Sequence, residues 1–521
     1  MPNQVHVYDT TLRDGAQAEN IAFSFEDSVQ LARLLDELGV QYIEGGFAQS
    51  NPKALRFFRE MRKDPLKNAK LATFGMTRRK NTRAEEDLGL AAMLAVKTPV
   101  CTVVGKTWDL HVTKGLQTTL DEGLKMIADT VRYLKKKRRE VIYDAEHFFD
   151  GYKANPEYAM KTLEAAVDAG ADCLVLCETN GGIMPDEVAR ITGEVCRATG
   201  APVGIHAHND TGMAVANSFM AVVSGATHVQ GTVNGYGERS GNADLMVLIP
   251  NLMIKLKKKC VPQKSLRRIT EFSRTIAEIA NATPDPRQPY VGRCAFAHKG
   301  GMHVSALQRH ESTYEHISPE EVGNQRRVLV SELSGKSNIQ YKAKELGFEL
   351  DAATNEQKRL LDRVKAMEDE GYSFEAAEAS FEVLASRLKG KYKRPFSLEG
   401  FRVIVEKRGH DAECVSEATV KVNVGGRMYL MAGEGDGPVN ALDVAVRKAL
   451  GDEFPHVKDV SLLDYKVRVL DGEEGTAAKV RVLIESGDGQ KEWGTVGVSE
   501  NIIEASWQAL MDSLEYKIMK K

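Results

Sequence analysis

Two histidines separated by one residue, His206 and His208, close a short apolar run that begins at Val203. Alternate side chains of a strand share a face about 7 Å apart, so both imidazoles can be aimed at one point. By composition alone a His-x-His pair is a bland surface feature. Here it runs on into Asn209-Asp210, and an acidic residue, Asp14, follows a few residues after another strand-like run near the start of the chain. Two imidazoles and a carboxylate make a facial set with open positions, suited to Zn²⁺, Mn²⁺, Fe²⁺ or Co²⁺. Arg13 beside Asp14 is costly to desolvate unless it is used. It reads either as an ion-pair partner of Asp14 or Glu44, or as a cation that stabilises an oxyanion next to the metal. Glu146 could orient Arg13 or move protons; its plainer reading is a solvated loop carboxylate.

These residues share a position in the chain's rhythm. Strand-like runs at Val5–Tyr8, Gln41–Gly45, Lys70–Phe74, Val100–Val104, Val141–Ala145, Cys173–Leu176, Val203–His206 and Thr227–Gly231 alternate with helical patterns such as Ser24–Leu38, Ala84–Ala95, Thr119–Lys137, Pro156–Ala169, Pro185–Thr199 and Gly212–Ser224. Eight such units in about 255 residues predict an α/β TIM (β/α)₈ barrel. A doubly wound sheet needs a glycine-rich dinucleotide turn after its first strand, and DTTLRDGAQ has none. In a barrel the strand C-termini carry the chemistry. They collect Asp9, Arg13, Asp14, Glu44, Glu146, Thr179, His206, His208, Asn234, Glu238 and Arg239 at one end. The basic runs Lys135–Arg139 and Lys255–Lys259 end helices, where cations complement the dipole, and belong to the opposite end.

Composition narrows the function classes. A formal net charge of −3 over 521 residues argues against broad binding to nucleic acid or anionic membrane. The most apolar stretch, Gly89 to Gly105, is interrupted by Lys97 and Pro99 and is too short to cross a bilayer. Met1 to Gly15 has neither a basic nor an apolar leader pattern, so no secretory signal is expected. Seven scattered cysteines with no Cys-x-x-Cys pair fit a reduced, cytoplasmic setting.

The rhythm stops after Val261. The expected organisation is a catalytic barrel over 1–260, a helical connector with a polar catalytic loop over 261–395, charged and helical as far as Lys389, and a C-terminal α+β regulatory domain over 396–521. In the last part ATVKVNV (418–424) resembles AKVRVLI (478–484), which predicts a duplicated strand–strand–helix unit. The glycine-rich segment Gly433 to Pro438 reads as a turn before a helix, with carboxylate binding as the weaker alternative.

Three segments carry a family resemblance: DTTLRDG (9–15), HAHND (206–210) and GYGERSGNA (235–243). With them the whole chain resembles the acyl-CoA-condensing, metal-dependent barrels that include 2-isopropylmalate, homocitrate and citramalate synthases. Glu44-Gly45-Gly46-Phe47 with Ser50-Asn51-Pro52, YDAEHFFD (143–150) and CETNGG (177–182) are most similar to the citramalate-forming branch. The resemblance implies acetyl-CoA as co-substrate and pyruvate as the 2-oxo acid, with 2-isopropylmalate or homocitrate synthesis as the alternative. It implies a divalent metal (Zn²⁺ or Mn²⁺, with Mg²⁺ and Co²⁺ as alternatives) on Asp14, His206 and His208, with Asn242 as a weaker ligand. It gives Arg13 the alkoxide, Thr179 the oxo acid's carboxylate, and Glu146, His303 and Tyr314 proton transfer and thioester hydrolysis. It further implies a homodimer, with isoleucine as effector of the C-terminal domain. Asp144 stands where some members carry an aromatic side chain. A lyase or aldolase on the same barrel is the rival enzyme class, disfavoured by the duplicated C-terminal domain. An amino-acid-binding regulator without catalysis leaves Arg13, Asp14, His206 and His208 without a role.

Overall fold

Short, almost wholly apolar strand sequences such as CLVLCE (173–178) are what a parallel sheet buried on both faces requires. In the computed structural model, which describes residues 3–48, 52–331, 336–345, 356–388, 392–407, 409–410, 413–470 and 475–520, eight of them close into a parallel barrel. Ser50, Asn51 and Lys389 lie outside the described residues. The strands are β1 (His6–Asp9), β2 (Tyr42–Phe47), β3 (Lys70–Met76), β4 (Val100–Lys106), β5 (Glu140–Glu146), β6 (Cys173–Glu178), β7 (Val203–Ala207) and β8 (His228–Gly231). β8 returns to β1, with His228 opposite His6.

Local signals set the flanking helices. Ser24 caps helix Phe25–Leu38 in a reciprocal box with Asp27, and Gly39 ends it in the left-handed region; a cap of this kind contributes about 1 kcal/mol. Helix Pro52–Lys63, which the periodicity above does not single out, follows β2 and buries Phe57, Phe58 and Met61. At the end of β2 the register with β3 slips between Glu44 and Phe47. Gly46, at φ +94, makes that bulge possible.

The chain divides into two compact units, one of residues 1–296 with 317–325 and one of residues 297–316 with 326–521. In the first unit an outer core fills the space between strands and helices. A separate inner cluster of Tyr8, Tyr42, Ala72, Val100, Ile142, Cys173, Val175 and Cys177 fills the barrel.

The second unit holds more strand than a helical connector implies. It begins with a two-stranded parallel pair, β9 (Ala297–His298) and β10 (Arg327–Val328). Helices Gly301–Arg309, Lys336–Glu345, Glu356–Asp369 and Glu378–Leu388 follow in part between and after these strands. The sequence duplication is present, with one strand more per copy than strand–strand–helix. β11 (Phe396–Lys407), β12 (Cys414–Val424) and β13 (Arg427–Gly435) precede helix Pro438–Leu450, and β14 (Ser461–Val469), β15 (Val480–Gly487) and β16 (Glu492–Ser499) precede helix Ile502–Met519. The matched segments 418–424 and 478–484 fall mainly on the two central strands, β12 and β15, and the similar pairs Asn440-Ala441 and Asn501-Ile502 lie at the openings of the two helices that follow. Gly433 and Gly435 belong to β13, not to a turn. A Cβ at Gly433 would meet the backbone N of Ala445 at 2.7 Å, so glycine there lets helix and sheet approach closely.

Candidate active site

The strand C-termini surround a cavity of about 270 Å³ lined by Arg13, Asp14, Asp144, Glu146, Thr179, His206 and His208, among others. The ligand atoms of Asp14, His206 and His208 all lie within 4.8 Å of one another, and all three residues are buried. His206 Nε2 is 3.2 Å from Asp14 Oδ2. A backbone bridge brings Asn242 beside His208. Among the described residues, His208 Nδ1 and Asn242 Oδ1 are buried with no hydrogen-bond partner. Orphaned acceptors cost free energy unless something fills their valence. Two imidazoles, a carboxylate and an orphaned amide oxygen therefore suit a divalent cation.

The charges here depend on each other. Burial alone would raise the Asp14 carboxyl, but the Arg13 guanidinium and the His206 hydrogen bond hold it well below its ordinary range. His206 is pulled down by burial and carried back above its ordinary value by Asp14. Burial and the neighbouring His206 push His208 down to about 4, so it stays neutral, the form that ligates a metal.

Arg13 makes both contacts anticipated for it and also lines the cavity. Its Nε is 3.0 Å from Glu44 Oε2 and its guanidinium 3.2 Å from Asp14 Oδ2. The guanidinium also lies over the Phe74 ring, 4.1 Å from its centroid. Glu44, not Glu146, is thus what orients Arg13. Glu146 instead forms an ion pair with Lys106, its neighbour across the β4–β5 ladder. Thr179 lies one residue past β6. Its hydroxyl accepts from the His147 N–H at 2.9 Å and its carbonyl from Arg239 at 2.7 Å. Asn234 works in the scaffold, donating to Tyr236 Oη and the Ser273 carbonyl. Asp9 is tied to the N–H and hydroxyl of Thr11.

His303 and Tyr314 belong to the second unit, where their rings stack with centroids 4.1 Å apart. Beside Tyr314 in sequence, Glu315 accepts from Arg326 Nε at 2.7 Å and sits 3.1 Å from His298 Nε2.

Three residues at the barrel site escaped the sequence reading as site members. Lys106 ends β4, and the strand was expected to stop at Val104. Gln230 sits 2.9 Å from His206 Nδ1 and donates to Asp144 at 3.0 Å. Phe74 supplies the surface under Arg13. A polar side chain at an inward position of a barrel strand was the available signal for the first two.

The HMGL-like family matches residues 4–276, the homocitrate synthase post-HMGL domain-like family residues 290–372, and the LeuA allosteric (dimerisation) domain residues 375–518. An (R)-citramalate synthase of Geobacter sulfurreducens is 55% identical over 99% of this chain and 98% of that protein. One of Aquifex aeolicus is 54% identical over 100% of this chain and 99% of that protein. The chain belongs to the HMGL-like family, in its citramalate synthase branch. A 2-isopropylmalate synthase of Methanocaldococcus jannaschii, by contrast, is 31% identical over 100% of this chain and 96% of that protein. Among solved structures, an HMG-CoA lyase of Pseudomonas aeruginosa aligns with 54% of this chain and 95% of that one, at 17% identity and a TM-score of 0.46. Among the described residues no helix is long and apolar enough to cross a membrane.

Proposed function

We propose that this protein condenses acetyl-CoA with pyruvate and hydrolyses the thioester, giving (R)-citramalate and CoA. The observation that carries the chemistry is the convergence of Asp14, His206 and His208 on one point with Arg13 beside it. A divalent cation held by these three residues, with Asn242 as a fourth donor, supplies a Lewis acid for the 2-oxo acid's carbonyl. Zn²⁺ and Mn²⁺ both suit that donor set.

The chain's own residues do the rest. Thr179 holds the oxo acid's carboxylate through its hydroxyl proton. Glu146 or His303 takes a proton from the acetyl methyl group. The resulting carbanion carbon bonds to C2 of pyruvate, and the C=O electron pair moves to the oxygen, where Arg13 stabilises the developing charge. That oxygen is then protonated, and water cleaves the thioester with His303 and Tyr314 assisting, releasing the CoA thiol. A second cavity of about 590 Å³, which shares Phe47, Phe74, Met76, Val104 and Lys106 with the first, offers room for the CoA chain. The C-terminal duplicated region serves as the dimerising and effector-binding part, with isoleucine as effector, and the protein works in the cytoplasm.

The test is acetyl-CoA-dependent thiol release against a panel of 2-oxo acids. A pocket closed around pyruvate's methyl group rejects longer acids by clash, whereas one built for a branched acid loses only about 1–3 kcal/mol on pyruvate. The expected kcat/KM is highest for pyruvate, with 2-oxoisovalerate and 2-oxoglutarate hardly used. A higher value for 2-oxoisovalerate would overturn the substrate and leave the metal set standing.

A further inference from the structure

His206 and His208 differ in what holds the back of the imidazole. Among the described residues His208 Nδ1 has no partner, whereas His206 Nδ1 faces Gln230 Oε1 at 2.9 Å. Gln230 is opposite His206 in the β7–β8 ladder and is fully buried. Its amide continues inward, with Nε2 donating to Asp144 Oδ1 on β5 at 3.0 Å. The three side chains form one directed chain across the barrel, from a carboxylate through an amide to an imidazole.

The direction has a chemical consequence. With Gln230 Nε2 donating to Asp144, the carbonyl oxygen of the same amide is the atom turned toward His206. A carbonyl oxygen only accepts, so the proton on neutral His206 must sit on Nδ1. Nε2, which without a cation gives its proton to a hydrogen bond with Asp14 at 3.2 Å, is then the nitrogen that presents a lone pair once a cation takes that proton's place. With the amide reversed, Nδ1 would accept, Nε2 would carry the proton, and His206 could not ligate through that atom.

We propose that Gln230 is a positioning residue for the metal centre, holding His206 in its ligating tautomer, and that Asp144 sets the direction of the Gln230 amide. This rests on the reading of Asp14, His206 and His208 as metal ligands. It gives Asp144 a structural reason to be acidic where an apolar pocket wall would need no charge.

The experiment is direct titration of the full-length, metal-stripped protein with Mn²⁺, read as free Mn²⁺ by electron paramagnetic resonance, with no substrate present. Gln230→Met keeps the side chain's length and removes both hydrogen bonds. It is expected to weaken Mn²⁺ binding by about 10- to 100-fold, the usual cost of losing such a partner, in protein that circular dichroism shows to be folded. The exchange pair Asp144→Asn with Gln230→Glu keeps the net charge and the direction of the chain: a carboxylate accepts from His206 Nδ1 and an amide donates to that carboxylate. It is expected to recover most of the lost affinity. Wild-type affinity in Gln230→Met, or an exchange pair as weak as Gln230→Met, overturns the proposal. If Gln230→Met does not fold, the exchange pair decides alone: tight binding supports the directed chain and weak binding refutes it. His208→Ala separates the two levels, because Mn²⁺ retained in that variant sinks the metal site itself and not merely the role of Gln230.

Discussion

The floor and the mouth of the barrel are built from the same strands and differ by a two-residue step. β2 carries Tyr42 in the floor and Glu44 in the mouth; β5 carries Ile142, then Asp144 and Glu146; β8 carries His228, then Gln230. In the floor, polar atoms are few: Tyr8 Oη bonds Thr102 Oγ1 at 2.7 Å and Tyr42 Oη donates to Glu140 at 2.6 Å, while among the described residues His228 Nε2 is buried without a hydrogen-bond partner. In the mouth, buried charges crowd together and, among the described residues, acceptor atoms such as Glu44 Oε1 and Asn242 Oδ1 stay unpaired. Since a buried polar group without a partner opposes folding, the mouth is tolerable only because the floor and the outer core carry the stability. The same crowding holds ligands and charges in place before any substrate arrives, which is where electrostatic catalysis draws its strength.

Changes in the mouth should therefore separate activity from stability. The largest effect is expected for His208→Ala, which should lose metal on dialysis and thiol release together while the melting temperature of the metal-free protein stays within a few degrees of wild type. Metal content equal to wild type after dialysis would show that the ligand set is misassigned. Arg13→Lys keeps the charge but not the planar fork that meets Glu44 and Asp14 at once, and should lower turnover by at least roughly 10²-fold. Turnover near wild type in that variant would reduce Arg13 to an ion-pair residue.

The floor should respond in the opposite sense. Burial, with His6 nearby, pushes His228 down to about 3. Its ordinary value is about 6.5, so between these pH values the unfolded chain binds a proton that the folded chain refuses. The associated stability is fully present above about pH 6.5 and is lost as pH falls toward 3. His228→Phe should make stability fall less steeply with pH in that window, by up to about 1.4 kcal/mol per pH unit. Parallel pH profiles for wild type and variant, from denaturant unfolding, would show that His228 does not contribute.

The contrast also separates what was legible in the sequence from what was not. Strand and helix periodicity located all eight barrel strands, and the strand-end rule placed Arg13, Asp14, His206 and His208 together. The partners were harder to read. The pairing of Arg13 with Asp14 or Glu44 was legible, but not the bulge that follows Glu44, a register slip that no periodicity records. Lys106 meets Glu146 because β4 runs two residues beyond its apolar stretch. In the C-terminal region β13 (RMYLMAGEG) was missed because it is a largely exposed edge strand with little apolar alternation, and β16 (EWGTVGVS) because its continuous buried run does not alternate at all. Periodicity reports what packs against the core; which polar groups touch each other is set by register and side-chain geometry.

The central claim is that the chemistry depends on one cation held in the mouth by Asp14, His206 and His208. The most direct measurement strips the wild-type protein with a chelator, adds back Mn²⁺ in steps, and follows thiol release from acetyl-CoA and pyruvate against bound metal. The account predicts no activity in the stripped protein and a linear rise that breaks at one Mn²⁺ per chain. Full activity in protein shown to be metal-free would contradict it.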